Sequence, residues 1–172
     1  MSDQERCAYD FKNMKAIVVG MGKSGKAAVK ALHELGCAVT CMDSNSLSDD
    51  IKDYMAVNRL KVYLGGEEPK SYKDYDLMVL SPGIPMDKPF VHSAMKAGCE
   101  IIGEFELAYR LSKGKYAAIT GTNGKTTTTA LTGEIFKAAG RKTDVVGNIG
   151  NPVITAAMES RKGDGENWFV AE

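Results

Sequence analysis

Residues 116–129 read YAAITGTNGKTTTT. The first four form a short apolar run of the kind that becomes a buried strand of a parallel sheet, and residues 127–139 carry helical spacing. Between them Thr120, Gly121, Thr122, Asn123, Gly124, Lys125 and Thr126 make a strand-to-helix loop. Phosphate oxygens are best held by unpaired backbone N–H groups at a helix start, where the helix dipole points the same way. The glycines let the backbone approach a phosphate closely. Lys125 adds a mobile cation for the β and γ phosphates, and the Thr126 hydroxyl suits the Mg²⁺ that accompanies them. The strict GxxxxGK[ST] spacing asks for glycine at position 119, where this chain has Ile119, so the loop is a variant with Gly121 as its flexible point. A plain glycine turn with a surface lysine would leave the strand, loop and helix order without a reason. Thr126 to Thr129 are four poor helix formers in succession, which favours a specific role for the first of them.

Working outward, the same grammar recurs upstream. Residues 15–19 (KAIVV) predict a buried strand, followed by a helix whose Ala28, Ala31, Leu32 and Leu35 share a face and which Gly36 closes. Residues 38–42, 60–64, 77–80 and 100–102 predict further strands, and 90–97 a helix ending at Gly98. Strands alternating with helices imply βαβ units and an open parallel sheet covered on both faces. Downstream of the phosphate loop, Leu131, Ile135 and Ala138 share a helix face that Gly140 terminates; strands are expected at 143–146 and 168–171, and Pro152 is placed to open a helix. Residues 111–115 (LSKGK) break the apolar pattern and read as a linker. The expected class is α/β: a Rossmann-like parallel-sheet first domain over 1–111, then a truncated P-loop α/β domain over 112–172.

Gly20, Gly22 and Gly25 form a GxGxxG at the first strand-to-helix turn, with Asp43 at the end of the next strand. That is the layout of a dinucleotide fingerprint, in which an acidic group takes ribose hydroxyls. The motif alone does not separate NAD from another nucleotide, nor a ligand site from a packing turn.

Composition narrows the classes. Hydrophobic residues at 44% and charged residues at 26% predict a folded globular chain rather than disorder. Lys plus Arg (22) equal Asp plus Glu (22), so no overall field draws the chain to nucleic acid or an anionic membrane, and a bound anion must be held locally. No apolar run approaches the roughly 18 residues of a bilayer span. The polar residues 1–13 do not form a secretory signal, so a cytoplasmic location is expected; the chain is also expected to be a monomer. Cys7, Cys37, Cys41 and Cys99 lack CxxC spacing and read as buried, reduced thiols. His33 and His92 read as surface groups on helices, the nine methionines as core filler, Trp168 as a packing residue, and 159–167 as a mobile surface loop. Glu104 and Glu106 read only as charges at a helix start.

Two nucleotide-type loops about 100 residues apart, together with Ser81-Pro82-Gly83-Ile84 after a strand, Gly147-Asn148-Ile149-Gly150 after the second loop's helix, and Val170-Ala171-Glu172, resemble the Mur ligase family. These are the amino-acid-adding enzymes of peptidoglycan synthesis. The order and spacing are most similar to the branch that joins D-glutamate to UDP-N-acetylmuramoyl-L-alanine. The resemblance implies a first domain that holds the UDP part of the substrate without NAD. By position, Gly22, Lys23, Ser24, Asp43 and Ser44 would contact uridine diphosphate, with Ser81, Pro82 and Gly83 near it and Asn148 near the uracil or sugar. Asn45 stands where some relatives have arginine. Gly121, Thr122, Asn123, Gly124, Lys125, Thr126 and Thr127 would hold ATP, and Thr126 and Glu172 would hold Mg²⁺, with Lys125 and Glu172 serving catalysis. The implied chemistry is ATP-dependent activation of the alanine carboxylate as an acyl phosphate, which the amine of D-glutamate then attacks. The family's remaining domains lie beyond residue 172, so the chain is expected to be a fragment that cannot complete the reaction alone. An NAD-dependent oxidoreductase, resting on GxGxxG and Asp43, would leave the other motifs unexplained. A related Mur or folylpolyglutamate-type ligase with another substrate is the second alternative.

Overall fold

The structure is a computed structural model that describes residues 9–147, 152–163 and 165–172. The chain forms two compact units: one is Asp10–Leu107, and the other comprises Ala108–Glu172 together with Tyr9.

The first unit is a five-stranded, all-parallel sheet. Its strands are β1 (Lys15–Val19), β2 (Ala38–Asp43), β3 (Lys61–Leu64), β4 (Leu77–Leu80) and β5 (Glu100–Gly103), in the order β3-β2-β1-β4-β5. Ile17 pairs with Thr40 on one side and Met78 on the other. Central strands of such a sheet are buried on both faces and need an unbroken apolar run, and Ala16, Ile17, Val18 and Val19 are all buried. One face takes Ile17, Val19, Met42, Met78 and Leu80 into a core with Val91 and Ala94 of helix α3 (Pro89–Lys96). Helix α1 (Lys23–Glu34) packs on β1 and β2 through Ala28, Val29, Ala31 and Leu32, and ends at Gly36 with φ +81°.

Helix α2 (Asp49–Val57) was not expected from the sequence; only Ile51 and Met55, one turn apart, are buried in it. Its Tyr54 hydroxyl lies 2.9 Å from His33 Nδ1, so His33 is half-buried and bridges α1 to α2 instead of facing solvent. His92 is exposed. Helix α4 (Glu104–Leu111) follows β5 directly and runs across the division between the units. The methionines divide: Met21, Met42, Met55 and Met78 fill the core, while Met86 and Met95 are exposed.

The second unit has three parallel strands, β6 (Lys115–Ala118), β7 (Thr143–Val146) and β8 (Trp168–Ala171), in the order β6-β8-β7. Its core is built from Phe169 and Val170 of β8, Val146 of β7, and Val153, Ile154 and Ala157 of helix α6 (Val153–Arg161), with the Tyr116 ring stacked 4.8 Å from Phe169. The Trp168 ring packs edge-on against Phe136.

Helix α5 (Lys125–Ala138) turns its shared apolar face away from the sheet of its own unit. Leu131 and Ile135 share a face, but they are 59% and 56% exposed, and Ala138 is exposed too. The buried positions are Thr129 and Gly133, one turn apart, and a side chain at Gly133 would collide with Val145 of β7. The helix therefore seats itself on this sheet through small residues. Periodicity identified an apolar face without telling which surface it meets. Residues 159–161 likewise belong to α6 rather than to a surface loop, and Asn167 is buried, donating to the Asp144 carboxylate at 3.2 Å. No helix among the described residues is long and apolar enough to cross a membrane.

Candidate functional site

In an open parallel sheet, ligands bind beyond the C-terminal ends of the strands where the strand order reverses, and here that point lies between β1 and β4. The loops leaving these two strands carry Gly20 to Gly25 and Ser81 to Ile84. They are stitched together: the Ser81 N–H donates to the Val19 carbonyl at 3.0 Å, and the Ser81 hydroxyl donates to the Gly20 carbonyl at 2.8 Å. Gly25 packs so closely against Gly20 that any Cβ would collide with the Gly20 carbonyl oxygen. This is the close approach for which the third glycine of such a motif exists.

Asp43 ends β2 and spends both carboxylate oxygens on backbone. Oδ2 accepts the Met21 N–H at 2.5 Å and Oδ1 accepts the Asn45 N–H at 2.8 Å. A carboxylate offers about four acceptor positions, so two remain for a ligand. The residue thus braces the glycine loop first and faces the cleft second.

The cleft itself, ≈ 220 Å³, is walled by Gly20, Met42, Asp43 and Ser44 on one side and by Gly66, Glu67, Ile84, Lys88 and Phe90 on the other. Asp43 and Ser44 were expected there. The opposite wall was not, since it comes from the loop after β3 and from the loop and first turn of α3 after β4, whose residues share no spacing with the glycine motif. Gly22, Lys23 and Ser24 stand at the start of α1, whose first turn has no side-chain cap, so its leading amides are free of that kind of partner. Pro82 and Gly83 are exposed beyond the cleft wall, and Asn148, with the rest of 148–151, lies outside the described residues. A larger hollow of ≈ 900 Å³ lies at the N-terminal edge of the sheet, beside Lys15, Ala38 and Lys61. Size does not make it the site, because the free helix amides and loop glycines are at the other edge.

Glu104 was read only as a helix-start charge. It follows β5 and is half-buried; desolvation pushes its carboxyl above the ordinary range, with the nearby Ser24 hydroxyl opposing the shift. Cys37, Cys41 and Cys99 are free and buried, and burial pushes their thiols up to about 11, 12 and 11, so they remain protonated and unreactive at neutral pH. Cys7 lies outside the described residues.

In the second unit the phosphate-type loop leaves β6 and enters α5. Gly124 is its N-cap in the left-handed conformation, φ +76°, with nothing within 4 Å of where a Cβ would stand. The Lys125 ammonium folds back to donate to the Gly121 carbonyl at 2.7 Å, and Thr122, Asn123, Thr126 and Thr127 are exposed. Because β6 and β8 pair in parallel, Ala118 beside Ala171, the loop after β6 and Glu172 after β8 emerge at the same sheet edge. The Ile119 N–H donates to the Ala171 carbonyl at 2.8 Å, which fixes that juxtaposition. Glu172 Oε2 is buried and lacks a hydrogen-bond partner. A buried, unpaired carboxylate oxygen is costly on its own and is the hard donor that Mg²⁺ prefers. Among the described residues no group of three His, Cys, Asp or Glu forms a cation site. A cation here would take Thr126 and Glu172 with oxygens from a phosphate chain, the sparse protein ligation usual for Mg²⁺.

A reversed-order parallel sheet with a glycine loop at its switch point, followed by a lysine-bearing loop that enters a helix beside a second parallel sheet, is an α/β arrangement of the Mur ligase class. Residues 14–103 match the N-terminal domain of the MurD-like Mur ligases, and residues 119–172 match the Mur ligase middle domain. The chain belongs to the MurD-like Mur ligase family. It is 46% identical over 159 residues to the UDP-N-acetylmuramoylalanine--D-glutamate ligase of Alkaliphilus metalliredigens, covering 90% of this chain and 35% of that one. It is also 46% identical over 167 residues to the enzyme of the same name from Clostridioides difficile, covering 95% and 36%. A solved pseudomurein peptide ligase type C from Methanothermus fervidus superposes with a TM-score of 0.53 at 26% identity, over 92% of this chain and 33% of that one. The chain thus spans about a third of the length of the relatives it matches.

Proposed function

We propose that this chain is the front part of a cytoplasmic, monomeric ATP-dependent ligase that adds D-glutamate to UDP-N-acetylmuramoyl-L-alanine. Residues 1–111 hold the UDP end of the substrate, and 112–172 begin the ATP-binding domain. Family membership and the names of the relatives near 46% identity support the substrate pair. The observation that carries the chemistry is the emergence of the Lys125 loop and the unpaired Glu172 carboxylate at one sheet edge.

In this proposal the free amides at the start of α1, with Lys23 and Ser24, take the diphosphate, while Asp43 and Ser44 face the nucleoside in the cleft. Ser81, Pro82 and Gly83 lie alongside. Amides of Gly121 to Thr127 wrap the triphosphate, for which Lys125 must leave the Gly121 carbonyl. Thr126 and Glu172 are the protein's oxygens for Mg²⁺. ATP supplies the phosphoryl group that makes the alanine carboxylate an electrophile for the amine. Lys125 offsets charge developing on the transferred group, the kind of preorganised stabilisation that dominates phosphoryl transfer. In this proposal the 172-residue chain, which spans about a third of the length of its relatives, binds its ligands without turning them over.

Calorimetry of this chain with UDP-N-acetylmuramoyl-L-alanine, UDP and NADH in parallel tests the assignment. The expected result is saturable binding of both uridine ligands and none of NADH. Binding of NADH alone, or glutamate-dependent phosphate release by this chain, would overturn it.

A further inference from the structure

The hollow of ≈ 900 Å³ in the first unit has no part in the reading given above. Lys15, Ala38 and Lys61, the first residues of the parallel strands β1, β2 and β3, line it, so it sits at the opposite end of the sheet from the glycine loop. Its size is that of a small-molecule pocket.

The charges around it are unbalanced, although the chain as a whole carries 22 basic and 22 acidic side chains. Lys15, Arg59, Lys61 and Lys70 line the hollow, against Glu68 and Asp74. Lys26, Lys52 and Lys137 each pair with a carboxylate, whereas none of the four cations of the hollow enters an ion pair among the described residues. Two nearby carboxylates are engaged elsewhere: Glu68 accepts the Tyr72 hydroxyl at 3.1 Å, and Asp76 accepts the backbone N–H of Lys15 at 2.8 Å. Lys61 lies over the Tyr63 ring, with Nζ 4.9 Å from its centre.

The floor and the backbone add two further observations. Thr40 is only 6% exposed on an inner strand of an all-parallel sheet, where an apolar residue is the rule. Its oxygen accepts the Tyr75 hydroxyl at 3.2 Å and keeps its own proton to give. Arg59 follows the C-cap of α2 in the left-handed conformation, φ +54°, a position that helices usually give to glycine or asparagine. What an arginine adds there is a cation on the rim.

We infer that this hollow is a second ligand site of the first unit, for a small molecule bearing at least two oxyanion charges, phosphate or carboxylate. Arg59 and Lys61, with Lys15 and Lys70, supply charge-assisted hydrogen bonds, and the guanidinium fork of Arg59 fits either oxyanion. The Thr40 hydroxyl donates from the floor, and the Tyr63 and Tyr75 rings offer flat surface to the body of the ligand. This site is independent of the uridine and ATP assignments.

The test is amide-resolved NMR of the 172-residue chain at low salt, titrated with pyrophosphate and, in a separate arm, with citrate. At least one of the two is expected to give saturable shifts centred on residues 38–40, 58–61 and 70–75, and the arm that binds tells phosphate from carboxylate. Shifts at 121–127 report on the phosphate loop and leave this site untouched. Arg59→Asn suits the left-handed backbone, so it keeps the thermal midpoint while weakening the binding about tenfold. Lys61→Gln weakens it in the same way and serves if the first variant folds poorly. No shifts in the three segments with either anion at millimolar concentration would overturn the site. So would shifts that never saturate or that persist undiminished in both variants, the mark of loose attraction to surface lysines.

Discussion

The Ser81 hydroxyl donates a 2.8 Å hydrogen bond to the carbonyl oxygen of Gly20, tying the loop after β4 to the loop after β1 across the point where the strand order reverses. Both groups also press on Gly25. A methyl added at Gly25 would run into the Gly20 carbonyl and come within 2.8 Å of the Ser81 oxygen. The glycine loop is therefore held in shape from two sides before any ligand arrives, with Asp43 gripping the Met21 amide from a third.

Gly25→Ala is expected to destabilise the chain by about 3 kcal/mol, because backbone and not a mobile side chain blocks the new methyl. Gly22 has φ −67° and open space around it, so Gly22→Ala costs under about 1 kcal/mol as a poorer N-cap. Urea unfolding of the two variants measures the contrast; equal midpoints would show that the loop is not packed as described.

Thr129 places a buried hydroxyl without a hydrogen-bond partner under the first turns of α5. Thr129→Val keeps the shape and removes the stranded polar atom, so it should stabilise the chain by about 1 kcal/mol. Replacing the exposed Leu131 and Ile135 with glutamate and lysine should shift stability by no more than about 0.5 kcal/mol. Thermal melts of both variants check this, and a destabilised Thr129→Val would mean that the hydroxyl has a partner after all.

Glu104 gives a pH signature. Burial raises its carboxyl pKa in the folded chain above the ordinary 4.5, with the nearby Ser24 hydroxyl opposing. Above 4.5 and up to the folded value, the folded chain binds more protons than the unfolded one, so stability falls as pH rises through that window. The contribution is fully present below 4.5. Glu104→Gln should flatten the stability curve there without destabilising the chain at neutral pH. Urea midpoints across a pH series test the point, and superimposable curves would contradict it.

Much of this architecture could be read from residue order. Strands β1, β4 and β8 coincide with the apolar runs at 15–19, 77–80 and 168–171, because central parallel strands must be apolar on both faces, and the edge strand β7 falls at the expected 143–146. Helix α2 escaped notice, since Ile51 and Met55 alone make too short a stripe to register. The shared apolar face of α5 is legible in the sequence, but the surface it meets is not; contact with β7 is made by Gly133, which carries no hydrophobic signal. Asp43 was recognised as an acidic group at a strand end, yet its backbone partners depend on loop geometry that spacing does not encode. The same holds for Lys88 and Phe90, which reach the cleft from the stretch after β4 because β4 pairs beside β1.

The claim on which the ligase assignment turns is that the amides from Gly121 to Thr127 form a triphosphate cradle. Amide-resolved NMR of this chain, titrated with Mg·ATP, addresses it directly. Saturable, Mg²⁺-dependent shifts centred on Gly121 to Thr127 and on Glu172, lost in Lys125→Ala, are the expected result. Unmoved amides in that loop at millimolar nucleotide, or shifts confined to the first unit, would contradict it.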